Sequence, residues 1–97
     1  MTIEKKLENG TLTLAVAGRL DTNTAPELEG EMTLDGVSRV VFDLSGLEYI
    51  SSAGLRILMA AQKAMNASGG AMKVTGPNAS VSSVFEMTGL DTVFDIS

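Results

Sequence analysis

Ser45, Ser51 and Ser52 cluster between an apolar run, Arg39 to Leu44, and a long stretch of helix-forming residues. Gly46 and Gly54 keep the backbone around them free of side-chain bulk. A serine there has three chemistries open to it. It can cap the helix by accepting from a first-turn amide that has no intrahelical partner. It can attack as a nucleophile if a nearby base takes its proton, or belong to a glycine-rich loop that wraps a phosphate. The phosphate loop is excluded, because Asp43-Leu44-Ser45-Gly46-Leu47 has neither the Gly-x-x-x-x-Gly-Lys-Ser/Thr spacing nor a comparable set of glycines. The nucleophile lacks a partner: there is no histidine, and Ser52-Ala53-Gly54 is not a Gly-x-Ser-x-Gly elbow. Lys63 sits about 16 Å along the same predicted helix, too far to activate Ser52. Capping remains, by Ser51 or Ser52, and the chain is not expected to be an enzyme.

Composition narrows the classes further. The 97 residues suit one domain, 1–97, with a single core, and 44% hydrophobic against 20% charged residues argues for a folded chain. Seven basic and twelve acidic residues give a formal charge of −5, which opposes a grip on nucleic acid or anionic lipid. Without cysteine or histidine, no metal site of the common kinds is expected. The start, Met1 to Lys6, leads into no apolar signal core, and no run approaches the roughly 20 apolar residues of a membrane span. These features predict a cytoplasmic protein with no membrane insertion.

The positioning elements follow from pattern. Thr2 to Glu8 and Thr11 to Ala17 flank Asn9-Gly10, which accepts the positive φ angles of a tight hairpin. Gly18 is expected to end the second strand, and Thr24-Ala25-Pro26 resembles a helix entrance with Thr24 as cap, the helix running to about Met32. Arg39 to Leu44 reads as a central strand buried on both faces. Ser45 to Ile50 reads as loop, Ser52 to Ser68 as the longest helix, ended by Gly69-Gly70. Ala71 to Thr75 is a strand, Ser80 to Thr88 a helix stopped by Gly89, and Thr92 to Ile96 a last strand. The order β-β-α-β-α-β-α-β predicts a single-domain α/β fold: a mostly parallel five-stranded sheet with an N-terminal antiparallel hairpin and about three helices. Partners of such sheets meet the loops beyond the carboxyl ends of the strands, here Gly18 to Thr24 and Ser45 to Ser52.

Two segments at this separation resemble a known family. Gly18-Arg19-Leu20-Asp21 with Ala25-Pro26, and Val40 through Arg56, look like the signature segments of STAS domains of the bacterial anti-sigma factor antagonist kind. The pattern Phe85-Glu86-Met87-Thr88-Gly89-Leu90 supports the likeness, which covers nearly the whole chain. The resemblance implies a STAS-like fold and a module that docks on an anti-sigma factor with serine kinase activity, frees a sigma factor, and is inactivated by phosphorylation. Its phosphoserine falls on Ser52, with Ser51 as secondary candidate. Family members often read Asp-Ser-Ser/Thr-Gly there; this chain has Ser51 at the aspartate position and Ala53 at the second hydroxyl. The domain itself would need no cofactor, ATP-Mg²⁺ belonging to the partner kinase, and a phosphatase would reset it.

Steps of 100° along the long helix put Ile57, Leu58, Ala61, Ala64 and Met65 on one apolar face, and Ser52, Arg56, Met59 and Lys63 on the other. The second group is the expected docking stripe. Its plain alternative is that Arg56 and Lys63 solvate an exposed side while Met59 folds over a neighbouring helix. Asp21 is expected to cap its own turn through Thr22 to Thr24 and, by resemblance, to contact the partner. Asp43 is expected to anchor its own loop. The competing function is a STAS regulatory subunit of a transporter or scaffold with no phosphorylation cycle.

Overall fold

Asn9 and Gly10 take φ of 51° and 78°, and the two-residue turn they form starts the molecule. The computed structural model describes residues 1–97. β1 (Thr2–Glu8) and β2 (Thr11–Leu20) pair antiparallel through that turn. There follow α1 (Ala25–Gly30), β3 (Arg39–Asp43), β4 (Leu47–Ile50), α2 (Ser52–Ser68), β5 (Ala71–Thr75), α3 (Ala79–Thr88), a 3-10 turn (Leu90–Thr92) and β6 (Asp95–Ile96). The sheet runs β1-β2-β3-β5-β6, with β4 also on β2, and every pair except β1–β2 is parallel. The predicted α/β class and hairpin are present, and the sheet has six strands rather than five.

Two expectations fail together. Gly18 does not end β2: it takes φ of 92° inside the strand, which continues to Leu20. The segment read as loop contains β4, whose Leu47, Tyr49 and Ile50 align with Gly18, Arg19 and Leu20. Glu48 is the extra residue of this register shift, so β4 is bulged against β2. The bulge brings Leu47 and Ile50, three residues apart, to the same buried side while Glu48 and Tyr49 stay exposed.

The central strand is buried on one face only. Val40 and Phe42 are fully buried, as are Leu12, Leu14 and Val16 of β2 and Met72 and Val74 of β5, whereas Arg39 is exposed and Val41 and Asp43 half-buried. All the buried strand residues join one cluster with Leu28, Leu58, Met65, Val81 and Phe85 from the helices. The helices therefore share one face of the sheet, and the β-branched run does not need a second covering layer. Phe85 of α3 meets Phe94 edge-on at 5.6 Å, which ties the last helix to the residue that leads into β6. No helix is long and apolar enough to cross a membrane.

Candidate functional site

β2 and β4 end side by side, Leu20 opposite Ile50, and the Ser51 amide donates to the Leu20 carbonyl at 2.8 Å. Two chains thus leave the sheet at one level, one into Asp21 and the other into α2. Gly54 makes this junction tight: a Cβ there would lie 2.7 Å from Leu20 Cγ and 2.9 Å from Ile50 Cγ1.

The serine pair divides its work. Ser51 is the cap of α2, with extended backbone and a side-chain oxygen that accepts from the Gly54 amide at 3.4 Å. Ser52 is the first helical residue, exposed, and its hydroxyl makes no hydrogen bond within the protein. The open choice between the two for the capping role is thereby decided for Ser51, and Ser52 keeps a free hydroxyl.

Asp21 closes its own turn. Its Oδ1 accepts from the Thr24 amide at 3.1 Å and the Asn23 amide at 3.0 Å, with the Thr24 hydroxyl at 3.2 Å. The Thr24 amide is the main reason its carboxyl sits below the ordinary value of 3.8; partial burial opposes this, and Asn23, the Thr24 hydroxyl and the Arg19 charge add to it. Thr24 stands at the cap position of α1 but does not cap through its side chain, contrary to expectation. Its hydroxyl accepts from the Asp21 amide at 2.9 Å and donates to the Arg19 carbonyl at 2.8 Å, so the turn and not the helix claims it. Asp43 anchors its loop as expected: the Ser45 hydroxyl donates to Oδ1 at 2.7 Å and the Ser45 amide at 3.0 Å. These bonds, the hydroxyl's first, lower the Asp43 carboxyl's pKa.

The structure brings Ser52, Arg56, Met59 and Lys63 to one side of α2, with Ser52, Arg56 and Lys63 exposed and Met59 half-buried against the core. Ile57, Leu58, Ala61 and Met65 of the opposite face are buried, and Ala64 is half-buried. Grooves flank the stripe. One of about 500 Å³ separates α1 from α2, with Thr22, Pro26, Glu29, Arg56, Met59 and Lys63 on its walls. The other, about 300 Å³, is lined by Ser52, Leu55, Arg56, Met59, Thr88 and Leu90. Arg56 and Met59 are the ridge between them.

Several of these wall residues escaped sequence reasoning. Thr88 and Leu90 arrive because Gly89, at φ of 75°, ends α3 and turns the chain into the 3-10 segment. Gly89 marks the end of α3 in the sequence, but the return of Thr88 and Leu90 to the wall beside α2 is a tertiary placement that no local signal carries. Arg19 and Tyr49 were also missed. The Arg19 guanidinium stacks 4.4 Å above the exposed Tyr49 ring, a contact that exists only because β4 pairs with β2.

A family model described as "Mlab, STAS domain" matches residues 3–95 of this chain. The chain belongs to the STAS domain family. A Bordetella bronchiseptica protein named as an anti-sigma factor antagonist is 33% identical to this STAS domain, over 92% of this chain and 79% of that protein. The crystal structure of an anti-sigma factor antagonist from Mycobacterium paratuberculosis superposes with a TM-score of 0.84 at 31% identity, covering 98% of this chain and 83% of that one. The Bacillus cell fate determinant SpoIIAA, solved in its phosphorylated form, shares the fold with a TM-score of 0.79 at 15% identity, covering 99% and 91%.

Proposed function

We propose that this STAS domain is a cytoplasmic anti-sigma factor antagonist. It docks through the Ser52 face on an anti-sigma factor with serine kinase activity, which releases a sigma factor, and phosphorylation of Ser52 switches it off. The domain acts by binding and is not itself an enzyme. One observation carries the reading: Ser51 takes the cap, and Ser52 stands exposed with an unengaged hydroxyl on the wall of the narrower groove. A kinase is served best by such a hydroxyl, because a capping serine would have to give up its hydrogen bond to the Gly54 amide to react. The names of the relatives support the partner class, and SpoIIAA supports the compatibility of this fold with a phosphate.

In the transfer, the terminal phosphoryl group of the partner's ATP moves to Ser52 Oγ, ADP leaves, and the hydroxyl proton passes to the partner or solvent. The product adds about −1.5 to −2 charges at a helix N-terminus, where free amides and the dipole favour an anion. The fold should therefore tolerate it, and the effect falls on docking through bulk and charge. Asp21, next to this surface, would contact the partner while its Oδ1 holds the turn.

Incubation with the cognate kinase and ATP-Mg²⁺, followed by mass spectrometry, should place phosphate on Ser52. A product unmodified at both Ser52 and Ser51 would reject the switch. Ser52→Asp should lose partner binding while melting with the wild type, and a large fall in its melting temperature would show that the charge unfolds the domain instead.

A further inference from the structure

α2 carries Arg56 and Lys63 and no carboxylate along its 17 residues, although the whole chain has a formal charge of −5. The ion pairs of the molecule are Lys5–Glu31 at 3.7 Å and Lys6–Glu8 at 3.0 Å, so no carboxylate lies within 4.0 Å of Arg56. Glu29 shares the wider groove with Arg56 without pairing to it. Ser52 stands four residues earlier, one turn toward the N-terminus on the same face, and both residues border the narrower groove. Helical side chains lean toward the N-terminus, which puts Ser52 within the sweep of the Arg56 side chain across the groove they share. A cation without an acidic partner thus lies within one turn of a hydroxyl without a hydrogen bond.

We infer that Arg56 clasps a phosphate on Ser52 of its own helix, its guanidinium donating N–H bonds to the phosphate oxygens, as arginine pairs with dianionic oxygen. The inference rests on the reading that Ser52 is the modified residue and says what the modification does next. In the unmodified domain Arg56 stands free on the ridge between the two grooves, open to an acidic group of the partner. In the modified domain it is occupied, and the stripe of Arg56 and Lys63, two positive charges, is brought to about zero by the phosphate. Phosphorylation then withdraws a docking cation as well as adding an anion. Arg56 is in this role a positioning residue for the phosphate.

The test installs phosphoserine at position 52 genetically, without any kinase, and follows the phosphate by ³¹P NMR against pH. An arginine pair favours the dianion, so Arg56→Gln should raise the second phosphate pKa by about half a unit or more. Arg56→Lys should recover part of the shift, and Lys63→Gln should leave it in place. Equal values for wild type, Arg56→Gln and Lys63→Gln would overturn the clasp while leaving phosphorylation at Ser52 intact. A kinase that ignores Ser52 would overturn the proposed switch without touching this measurement. If phosphorylated Arg56→Gln fails to fold, the Arg56 Nε–H resonance of the phosphorylated wild type decides. It should move as the phosphate titrates, and a static resonance would refute the clasp.

Discussion

Replacing Gly54 with alanine should destabilise the domain, although alanine is the better helix former. Gly54 is buried at the third position of α2. The added Cβ would stand 2.7 Å from Leu20 Cγ, 2.9 Å from Leu20 Cδ2 and 2.9 Å from Ile50 Cγ1. Leu20 is 0% and Ile50 2% exposed, so neither has solvent to move into. Helix propensity favours alanine by up to about 1 kcal/mol, while overpacking a filled core costs about 1–3 kcal/mol. The net loss should be about 1 kcal/mol, or roughly 4–8 °C in melting temperature for a domain of this size. Gly30→Ala is the matched control: the end of α1 leaves nothing within 4 Å of the new Cβ, and its φ is not positive. That variant should gain up to about 1 kcal/mol. Urea unfolding followed by far-UV circular dichroism reads both through the midpoint and slope. The strain in Gly54→Ala falls on the junction that sets α2 on β2 and β4, so partner affinity should drop as well. A Gly54→Ala midpoint at or above the wild-type value would refute the claim that close approach, and not loop flexibility, requires this glycine.

Ser51→Ala should lose about 1 kcal/mol through its cap, while Ser52→Ala stays within about 0.5 kcal/mol of wild type in the same urea titration. Equal losses would undo the division of work between the two serines. Arg56→Glu and Lys63→Glu should each weaken docking on the anti-sigma factor in calorimetry; unchanged affinity for both would remove the stripe. Ser45→Ala should raise the Asp43 pKa toward the ordinary value of 3.8, read by ¹³C NMR of its carboxyl. The folded state lowers this pKa, so the ionised form contributes stability above the unfolded value, lost as pH falls through the folded one. The stability gap between wild type and Ser45→Ala should therefore be present at neutral pH and shrink below about pH 3.8. A gap that is constant from pH 7 to acid would show the Ser45 contact contributes through packing alone.

The helices were legible because their signals are local. The Ser51-Ser52 entrance, Gly69 and Gly89, the last two in the left-handed conformation, mark ends that no tertiary contact has to supply. The face of α2 was legible for the same reason, since a 3.6-residue period is written in the chain whatever packs against it. β4 was not. Its buried pair, Leu47 and Ile50, is spaced by three, which matches neither strand alternation nor a helix this short, and the cause is the bulge at Glu48. A bulge is a relation between two strands, and its mark lies on β2, where Gly18 adopts its positive φ. Gly18 read as a stop because the partner that keeps the strand going was itself unread.

That missed pairing is what builds the site. Had Ser45 to Ile50 been loop, Asp21 and Ser52 would be placed only by chance of loop conformation, and Arg19 would have no Tyr49 to stack on. With β4 paired, Leu20 and Ile50 end in register, the Ser51 amide is fixed to the Leu20 carbonyl, and Gly54 lets α2 start directly on top of them. The backbone that carries Ser52 is thus fixed by its neighbours, the Ser51 amide on the Leu20 carbonyl, the Ser51 side-chain cap on the Gly54 amide and the helix that follows, while the Ser52 hydroxyl itself stays unbonded. A residue held this way can gain a phosphate without the fold having to move. The proposed switch would then work by what the Ser52 face presents to a partner, and Arg56, the nearest cation along that face, is where the inferred clasp would register the new charge first.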